Sequence, residues 1–533
     1  AMSVQPGRWW FESSEHCVNS TLDQLLATTP HQVLHGNPKV AVRRIVTHSG
    51  RVQPGDVFVC LPGYRTEGGE QYADRHPFAA EAVQRGAVAV VLEREVPGLE
   101  PATVIRVPST WQAAADMAAR LFGNPSADLT VIGITGTSGK TSTAFFVDAI
   151  LRASGWRTAR LGTVDYRIGE DLEPARQTTP EAPELQALLA RARDAGCRAV
   201  VMEVSSHALE LRRVANVAFD VAVFTNLGRD HLNFHPDMHH YLRAKGRLFE
   251  ELASGGKEGT AVVNADDPAS HYIRQVNSGQ CCTYAVHEAA DVRAAAVETG
   301  LFGTRLQVDS RWGRFEVHVP HPGLFHAHNA LAAVSVGLVL GLSPAEIQSG
   351  LGAAPAVPGR FERVDCGQNF LVVVDYAHKP EALEKLIRSA ECLHPRRILT
   401  VFGCGGDRDR GKRPLLGEVA ARGSDVVYVT SDNPRSERPE AIVADILEGV
   451  RRSGGRARIE VFLDRAQAIH RAIQEAEDGD VVLIAGKGHE TYQIFADRTV
   501  PFDDRLVARE ALRARAAVQG ARGEGHPTEA ERS

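Results

Sequence analysis

The stretch LTVIGITGTSGKTS, residues 129–142, decides how the middle of this chain folds. It begins as an apolar β-rich run, passes through a loop rich in glycine and hydroxyl groups, and leads into an apolar-periodic segment that predicts a helix over 142–153. A glycine-rich loop between strand and helix lets backbone N–H groups close on phosphate oxygens. Lys140 would then reach the terminal phosphates, and the hydroxyl of Thr141 would face Mg²⁺. Ile134 stands where the strict phosphate-loop pattern has its first glycine, and a glycine-rich turn without a nucleotide role is the alternative.

Segments on both sides of this stretch predict an α/β protein of three domains. Short strands at 56–60, 87–92 and 103–107 flank a helix at 78–85, which indicates a small N-terminal α/β domain. Further buried strands are expected at 199–204, 219–225 and 261–264. After Pro358 strands alternate strictly with helices, which predicts a doubly wound, Rossmann-like parallel sheet with its ligand site at the carboxyl ends of the strands. That pattern predicts strands at 370–375, 398–402, 426–430 and 481–484, and helices at 381–390, 414–421 and 439–451.

We place the domain boundaries by these patterns. The N-terminal domain is predicted over 1–127, the central domain over 128–356 and the C-terminal domain over 357–515. The polar, Gly-rich and charged tail over 516–533 is predicted to be disordered.

Composition narrows the class of protein. The 60 Lys and Arg against 66 Asp and Glu give a formal charge of −6, which argues against a nucleic-acid-binding protein. The eight cysteines are scattered with no C-x-x-C pair, so neither a disulfide framework nor a zinc site is indicated. No apolar run of membrane-spanning length and no signal pattern is present, so we expect a cytoplasmic protein with no membrane partner, and a monomer.

A series of motifs follows the phosphate loop in a fixed order. They are TTPE (178–181), MEVSSHAL (202–209), FTNLGRDHLNFH (224–235), YLRAKGRLF (241–249), HNALAA (328–333), PGRFE (358–362), DYAHKPEAL (375–383), GCGGDRDRGKRP (403–414), DNPR (432–435) and AGKGHE (485–490). With TGTSGKT, this order resembles the Mur ligase family, and most closely those members that add meso-diaminopimelate to UDP-MurNAc-L-Ala-D-Glu at the expense of ATP.

The resemblance implies a site for ATP and Mg²⁺ in the central domain. Glu203 and His231 would bind Mg²⁺ together with Thr141, and Lys245 would carry a CO₂-derived carbamate that holds a second Mg²⁺. Without the resemblance, Glu203 at the end of a buried strand is either a carboxylate that can reach a metal at the sheet edge or a solvated carboxylate, and Lys245 reads as a helix-surface lysine. Lys140, Glu203, His231 and Lys245 are therefore the predicted catalytic residues, and His207 is a candidate general base. The predicted ATP-binding residues are Gly136, Thr137, Ser138, Gly139, Lys140, Thr141, Ser142, Asn329, Arg360, Asp375 and His378.

The resemblance also implies two substrate pockets. Arg435 of DNPR presents a planar fork for the distal carboxylate of meso-diaminopimelate, which L-lysine lacks. Glu490 would bind the distal ammonium, and Arg408 the carboxylate near the reacting amine. The predicted amino-acid pocket is Arg408, Asp432, Asn433, Arg435, Gly486 and Glu490, and the predicted UDP-MurNAc-dipeptide site is Ser49, Thr178, Thr179, Ser205, Arg213 and Lys245.

Two departures from the family pattern leave alternatives open. Where relatives have D-S-R in the uridine-binding domain, this chain has His48, Ser49 and Gly50, and Arg51 or Arg75 could restore the lost charge. Arg438 stands where an acidic residue is usual and could alter the charge near the amino-acid pocket. A ligase acting on another carrier, or adding L-lysine or another amino acid, is the alternative. A catalytically idle nucleotide-binding scaffold is a third, which the retained set of catalytic residues disfavours.

Overall fold

A computed structural model describes residues 20–66, 69–253, 256–300 and 303–523. The chain forms two compact units. Among the described residues, the first unit comprises 20–294, 308–315 and 329–350, and the second comprises 295–307, 316–328 and 351–523.

The N-terminal part of the first unit is a small α/β layer. Its five-stranded sheet has the order β2-β9-β8-β5-β4, in which only the β2–β9 pair is antiparallel. Its elements are β1 (Ser20–Thr21), α1 (Leu22–Leu25), β2 (Gln32–His35), β3 (Ala41–Val42), β4 (Arg44–Val46), β5 (Asp56–Val59), β6 (Tyr64–Thr66), β7 (Gly69–Tyr72), α2 (Ala79–Gln84), β8 (Ala89–Leu92), β9 (Thr103–Arg106) and α3 (Thr110–Leu121).

The central part of the first unit carries the phosphate loop on a mainly parallel sheet. β10 lies in the middle, parallel to β14 on one side and β15 on the other, so the loop that follows it emerges at a carboxyl edge. The elements are β10 (Thr130–Thr135), α4 (Lys140–Ala153), β11 (Thr158–Leu161), β12 (Asp165–Ile168), β13 (Asp171–Pro174), α5 (Ala182–Asp194), β14 (Ala199–Glu203), α6 (Ser206–Glu210), β15 (Val221–Phe224), α7 (Met238–Glu250), β16 (Thr260–Asn264), α8 (Ser270–Val276) and β17 (Gln280–Ala285).

Further strands extend this sheet at both edges beyond the predicted pattern. β12 and β13 form a hairpin on the β11 edge. Three long strands after β17 were not predicted, although alternating polar and apolar residues are the pattern typical of a half-buried strand. They and the helices after them are β18 (Val292–Gly300), β19 (Gly303–Ser310), β20 (Gly313–Val319), α9 (Leu324–Val339) and α10 (Pro344–Gly352).

The second unit contains the predicted doubly wound sheet. Its order is β21-β22-β26-β23-β24-β25, parallel throughout except at the β21 edge. Apolar clusters cover both faces of this sheet, as the continuous apolar strands require. The elements are β21 (Glu362–Arg363), β22 (Leu371–Asp375), α11 (Pro380–Glu391), β23 (Ile398–Cys404), α12 (Lys412–Gly423), β24 (Val426–Ser431), α13 (Pro439–Arg452), β25 (Arg458–Phe462), α14 (Arg465–Glu475), β26 (Val481–Ala485), β27 (Tyr492–Ile494), β28 (Thr499–Pro501) and α15 (Asp504–Gly523).

The α/β class and the predicted strands and helices are confirmed to within a few residues at each end. One expectation is wrong, because α15 continues to Gly523 and residues 516–523 are therefore helical rather than disordered. The rest of that predicted tail, 524–533, and Cys17 lie outside the described residues. Across the described ranges, no helix combines the length and the apolar character that crossing a membrane requires.

Candidate active site

The phosphate loop joins β10 to α4, with Lys140 as the first residue of the helix. The Lys140 ammonium donates to the carbonyl oxygens of Gly136 at 2.8 Å and Thr137 at 3.1 Å. The backbone N–H of Ser138 donates to Asn226 Oδ1 at 2.9 Å. A positive side chain and the N-terminal end of a 14-residue helix therefore meet at one point, which favours an anion there.

The two loop glycines are required by close neighbours. Gly136 has a φ of +147°, and a Cβ there would lie 1.9 Å from Thr225 Oγ1. Gly139 has a φ of +85°, and a Cβ there would lie 2.4 Å from Asn329 Oδ1. Asn329 is thus brought against the phosphate loop within the first unit, although 190 residues separate it from Gly139 in the chain.

Glu203 ends β14 beside the loop and is buried. Thr141 Oγ1 donates to Glu203 Oε2 at 3.1 Å, and the backbone N–H of Thr163 donates to Oε1 at 2.8 Å. A carboxylate and a hydroxyl under a phosphate loop are the hard oxygen ligands that Mg²⁺ prefers, so this pair fits the predicted ion. In the described part of the chain, no three or more His, Cys, Asp or Glu side chains cluster as a metal site by themselves.

Lys245 lies on α7 and is buried, so its interpretation as a surface lysine is wrong. Burial, followed by repulsion from Lys140, holds the pKa of Lys245 well below its usual value of 10.5. This side chain is therefore held in an environment that favours the neutral amine.

Tyr241 connects the predicted catalytic residues and was missed by the sequence analysis. Its hydroxyl shares a hydrogen bond of 3.1 Å with Thr137 Oγ1, and the Lys245 ammonium lies 4.3 Å above its ring. The ring centroid of His231 lies 6.0 Å away. The spacing of four residues between Tyr241 and Lys245, one turn of helix, was the available signal.

His231 adopts a left-handed φ of +55° and lies with its ring centroid 4.8 Å from that of His207. Burial, then the neighbouring His231, lowers the pKa of His207 to about 3. An imidazole with so low a pKa is a weak base, which argues against His207 as the general base.

Three residues of the predicted dipeptide site surround the backbone next to Glu203. Thr179 Oγ1 donates to the Glu203 carbonyl oxygen at 2.9 Å and accepts from the backbone N–H of Ser205 at 3.1 Å. Thr178 shares a hydrogen bond of 3.1 Å with Thr163, which itself binds the Glu203 carboxylate. These hydroxyl-bearing residues thus lie beside the candidate metal ligand.

Arg213 is a buried guanidinium that the protein pairs only in part. Its Nη1 donates to Gln177 Oε1 at 2.9 Å and to the Thr179 carbonyl oxygen at 3.1 Å. Its Nε and Nη2 have no hydrogen-bond partner among the described residues. Buried polar groups are normally satisfied, so these two donors indicate an anionic ligand.

In the N-terminal layer, Ser49 and Arg75 bind acidic side chains of the protein, whereas the sequence predicted a role for them in substrate binding. The Ser49 hydroxyl donates to Glu81 Oε2 at 2.9 Å. Arg75 donates to Glu181 Oε1 at 2.8 Å and to the Thr47 carbonyl oxygen at 2.9 Å. Arg75 therefore ties the N-terminal layer to the TTPE motif, and its use as a replacement for the lost charge is not supported.

In the second unit, Asp375 lies at the carboxyl end of β22. It accepts hydrogen bonds from the backbone N–H groups of Phe361 at 2.7 Å and Ala377 at 2.8 Å. Burial raises the pKa of Asp375, while the nearby charge of Arg360 opposes that rise. His378 follows on the same loop, with its Nδ1 2.8 Å from the Tyr376 carbonyl oxygen. Arg360, Asp375 and His378 therefore belong to one end of this sheet.

Several residues of the predicted amino-acid pocket lie together where β24 and β26 end. Asn433 Nδ2 donates to Glu490 Oε2 at 3.0 Å, and a Cβ on Gly486 would lie 2.8 Å from Asp432 Oδ2. The sequence analysis missed Lys487, whose buried ammonium donates to Asn433 Oδ1 at 3.1 Å and Glu490 Oε2 at 3.0 Å. Its place within AGKGHE was the available signal.

Arg435 and Arg408 flank the glycine loop after β23. Arg435 has a φ of +53°, and its Nη1 donates to the Gly406 carbonyl oxygen at 2.7 Å. A Cβ on Gly405 would lie 2.9 Å from Arg435 Nη1 and 3.8 Å from Arg408 Cγ. Arg438 instead is 85% exposed and lies 3.7 Å from Glu440, so its charge is turned to solvent.

A phosphate loop with a buried carboxylate and a Rossmann-like sheet with charged strand ends define a nucleotide-dependent α/β enzyme. Family models match the chain as "Mur ligase family, catalytic domain" over 42–121, "Mur ligase middle domain" over 134–337 and "Mur ligase, glutamate ligase domain" over 359–488. The chain belongs to the Mur ligase family and is an ATP-dependent ligase.

Proteins with assigned names are similar to this chain over most of its length. A UDP-N-acetylmuramoyl-L-alanyl-D-glutamate–2,6-diaminopimelate ligase from Syntrophomonas wolfei is 45% identical over 469 residues, 88% of this chain and 94% of the relative. The ligase of the same name from Solibacter usitatus is 47% identical over 465 residues, 87% of this chain and 92% of the relative. A solved structure of that name is 32% identical with a TM-score of 0.67, covering 94% of this chain and all of that one.

Proposed function

We propose that this enzyme joins meso-diaminopimelate to UDP-MurNAc-L-Ala-D-Glu with hydrolysis of ATP to ADP and phosphate. A carboxylate oxygen of the glutamyl arm attacks the γ-phosphorus and ADP leaves. The amine then attacks the acyl carbon, phosphate leaves, and the amine loses a proton. The observation that carries the proposal is the charge pattern of the second unit, where Arg435 follows β24 and Glu490 follows β26 at the same edge of the sheet.

The first step requires two anions to meet, and the first unit supplies the compensating charge. Lys140 stands at the helix N-terminus and would neutralise the transferring phosphoryl group. Thr141, Glu203 and His231 would hold Mg²⁺, which supplies charge compensation to the phosphates when bound. The loop N–H groups and Asn329 would position the nucleotide on the same face.

Lys245 fits the proposed carbamate chemically. Only a neutral amine adds to CO₂, and the lowered pKa of Lys245 provides one without a separate base. Addition forms an N–C bond, releases the amine proton and turns the site anionic. Lys140, whose charge lowers that pKa, would then attract the new carbamate instead of repelling an ammonium.

The glutamyl-peptide arm would lie along Thr178, Thr179 and Ser205. The two unpartnered nitrogens of Arg213 present a planar pair of donors for a carboxylate or phosphate of that substrate. This placement would bring the arm beside Glu203, whose carbonyl oxygen already binds Thr179.

The amino acid would be selected in the second unit. Arg435 would bind the distal carboxylate as a fork, Glu490 the distal ammonium, and Arg408 the other carboxylate. L-lysine has no distal carboxylate and would leave Arg435 without its ligand, which disfavours it.

A ligase for a different carrier is the second candidate. The Ser49 hydroxyl is engaged by Glu81, and Arg75 is engaged by Glu181, so neither is positioned as the family pattern for uridine diphosphate implies. We place either reaction in the cytoplasm and expect a monomer, which sedimentation of the purified protein measures.

A phosphate-release assay tests both candidates. It compares meso-diaminopimelate with L-lysine, each with UDP-MurNAc-L-Ala-D-Glu, ATP, Mg²⁺ and bicarbonate. We expect release only with the full set, and only with meso-diaminopimelate. Equal release with L-lysine would overturn the assignment of Arg435. Release with another peptide carrier but none with the muramoyl dipeptide would favour the second candidate.

A further inference from the structure

A fully buried ion pair lies beneath the amino-acid pocket and has no part in the proposed chemistry. Arg465, the first residue of α14, donates from Nε to Asp504 Oδ1 and from Nη2 to Asp504 Oδ2, both at 2.7 Å. Asp504 is the first residue of α15, and both side chains are fully shielded from solvent. Burying two charges is costly unless geometry is good and the remaining donors are satisfied.

The remaining donors of Arg465 bind the ends of the two strands that carry the pocket. Nη2 donates to the Ala485 carbonyl oxygen at 3.0 Å, and Nη1 lies 3.4 Å from the Ser431 carbonyl oxygen. Ser431 directly precedes Asp432, and Ala485 directly precedes Gly486. One guanidinium therefore contacts both backbone segments from which the pocket side chains project.

β24 and β26 are not neighbours in the sheet, because β23 lies between them. Strand pairing therefore sets the position of the β24 end relative to the β26 end only indirectly, through β23. The planar fork of Arg465 spans that gap directly, and Asp504 fixes the orientation of the fork.

We propose that Arg465 and Asp504 are positioning residues for amino-acid selection, and that α15 is part of the specificity apparatus through Asp504. The inference rests on the proposed function, since it concerns the pocket assigned there. Both side chains are fully shielded from solvent, so they would act on the amino acid only through the residues above them. Loss of the pair lets the loops of Asn433 and Glu490 shift relative to one another, and small displacements of binding groups are expensive.

The test uses the full-length enzyme with Asp504→Asn and Arg465→Lys, and Asp503→Asn as the matched control. Asp503 precedes Asp504 and pairs with Arg505 at 2.6 Å instead of with Arg465. We expect both pair variants to raise KM for meso-diaminopimelate by about 10-fold or more, and KM for ATP by less than about 2-fold. The control should leave both constants unchanged.

A double-mutant cycle separates positioning from general destabilisation. If Asp504 acts through the pocket, Asp504→Asn combined with Arg435→Ala should cost less than the sum of the two single effects. Equal increases in both KM values, the same shift in Asp503→Asn, or strict additivity would overturn the inference. Where Asp504→Asn does not fold, Arg465→Lys is judged by the same criteria. If the wild-type enzyme does not accept meso-diaminopimelate, the proposed function is wrong but the inference about Arg465 and Asp504 still stands. KM would then be measured for the amino acid that the enzyme accepts.

Discussion

The site in the first unit and the pocket in the second unit handle charge in opposite ways. Around the phosphate loop, the protein compensates its positive groups only in part, with the Glu203 carboxylate beside Thr141 and Asp230 near Lys245. Lys245 has Lys140 as a charged neighbour, and two nitrogens of the buried Arg213 have no partner among the described residues. In the amino-acid pocket, by contrast, Lys487 already binds Glu490 at 3.0 Å, and Arg435 already binds a carbonyl oxygen.

The difference matches the ligands proposed for each. A site with surplus positive charge is costly when empty and is relieved by polyanions such as ATP and a carboxylate. A pocket whose charged side chains already have partners is suited to a zwitterion. When the zwitterion binds, each side chain replaces its partner in the protein by a ligand group of the same sign. Selectivity then depends on geometry more than on net charge.

Removing the charge of Lys140 at the phosphate loop is the variant with the largest expected effect, and it tests whether positive charge in the first unit is used for phosphoryl transfer. Lys140→Met should reduce kcat by about 10³-fold or more, roughly 4 kcal/mol of transition-state stabilisation. Steady-state phosphate release measures it. Lys39→Met, the same change at an exposed position, is the control. Retained turnover in Lys140→Met would show that the surplus charge is not used for phosphoryl transfer.

The Arg75–Glu181 ion pair tests whether charges of the first unit that already have a partner contribute to the stability of the fold. Burial alone would raise the pKa of Glu181, but Arg75 outweighs it and lowers that pKa to about 2 from 4.5. The pair therefore contributes stability above about pH 4.5 that is lost as the pH falls toward 2, about 3 kcal/mol in all. Urea unfolding of Glu181→Gln against wild type at pH 7 measures this contribution.

The exposed pair Arg85–Glu81 provides the matched control for that measurement. Its side chains are 47% and 41% exposed, so Arg85→Ala should change the free energy of unfolding by less than about 0.5 kcal/mol. Similar losses in Arg85→Ala and Glu181→Gln would contradict the structural role of the buried pair.

The depressed pKa of Lys245 predicts a pH-dependent stability. Between the folded-state pKa and 10.5, the unfolded chain binds more protons at this lysine than the folded chain, so stability rises with pH. The slope approaches about 1.4 kcal/mol per pH unit in CO₂-free buffer. Thermal unfolding between about pH 7 and 9 should show this rise in wild type and lose it in Lys245→Met. Parallel curves for the two proteins would contradict the assignment.

The smallest expected effect is on amino-acid selection in the second unit. Arg435→Ala should reduce kcat/KM for meso-diaminopimelate by about 30-fold, roughly 2 kcal/mol, because a desolvated carboxylate loses its partner. Arg438→Ala, at an exposed position three residues further along, should change it by less than about 2-fold. An unchanged preference over L-lysine in Arg435→Ala would remove that residue from the pocket.

Much of the fold could be predicted because strand and helix periods are local properties. The phosphate loop and four of the strands after Pro358, β22, β23, β24 and β26, were predicted from neighbouring residues alone. The β18–β20 strands were missed although their alternation was an available signal, and the helical residues 516–523 were missed because their polar, Gly-rich composition resembles that of a disordered tail. The assignment of residues to ATP, dipeptide and amino acid, and the domain boundaries, remain predictions that the experiments above address.

The sequence by itself determined the α/β architecture, the phosphate loop and the set of polar residues at strand ends, because each follows from spacing along the chain. Only the tertiary structure decided that Lys245 is buried, that Arg75 binds Glu181 instead of a ligand, and that Arg465 joins two strand ends to α15. Burial and long-range pairing depend on which distant segments meet, and a local pattern does not specify that meeting.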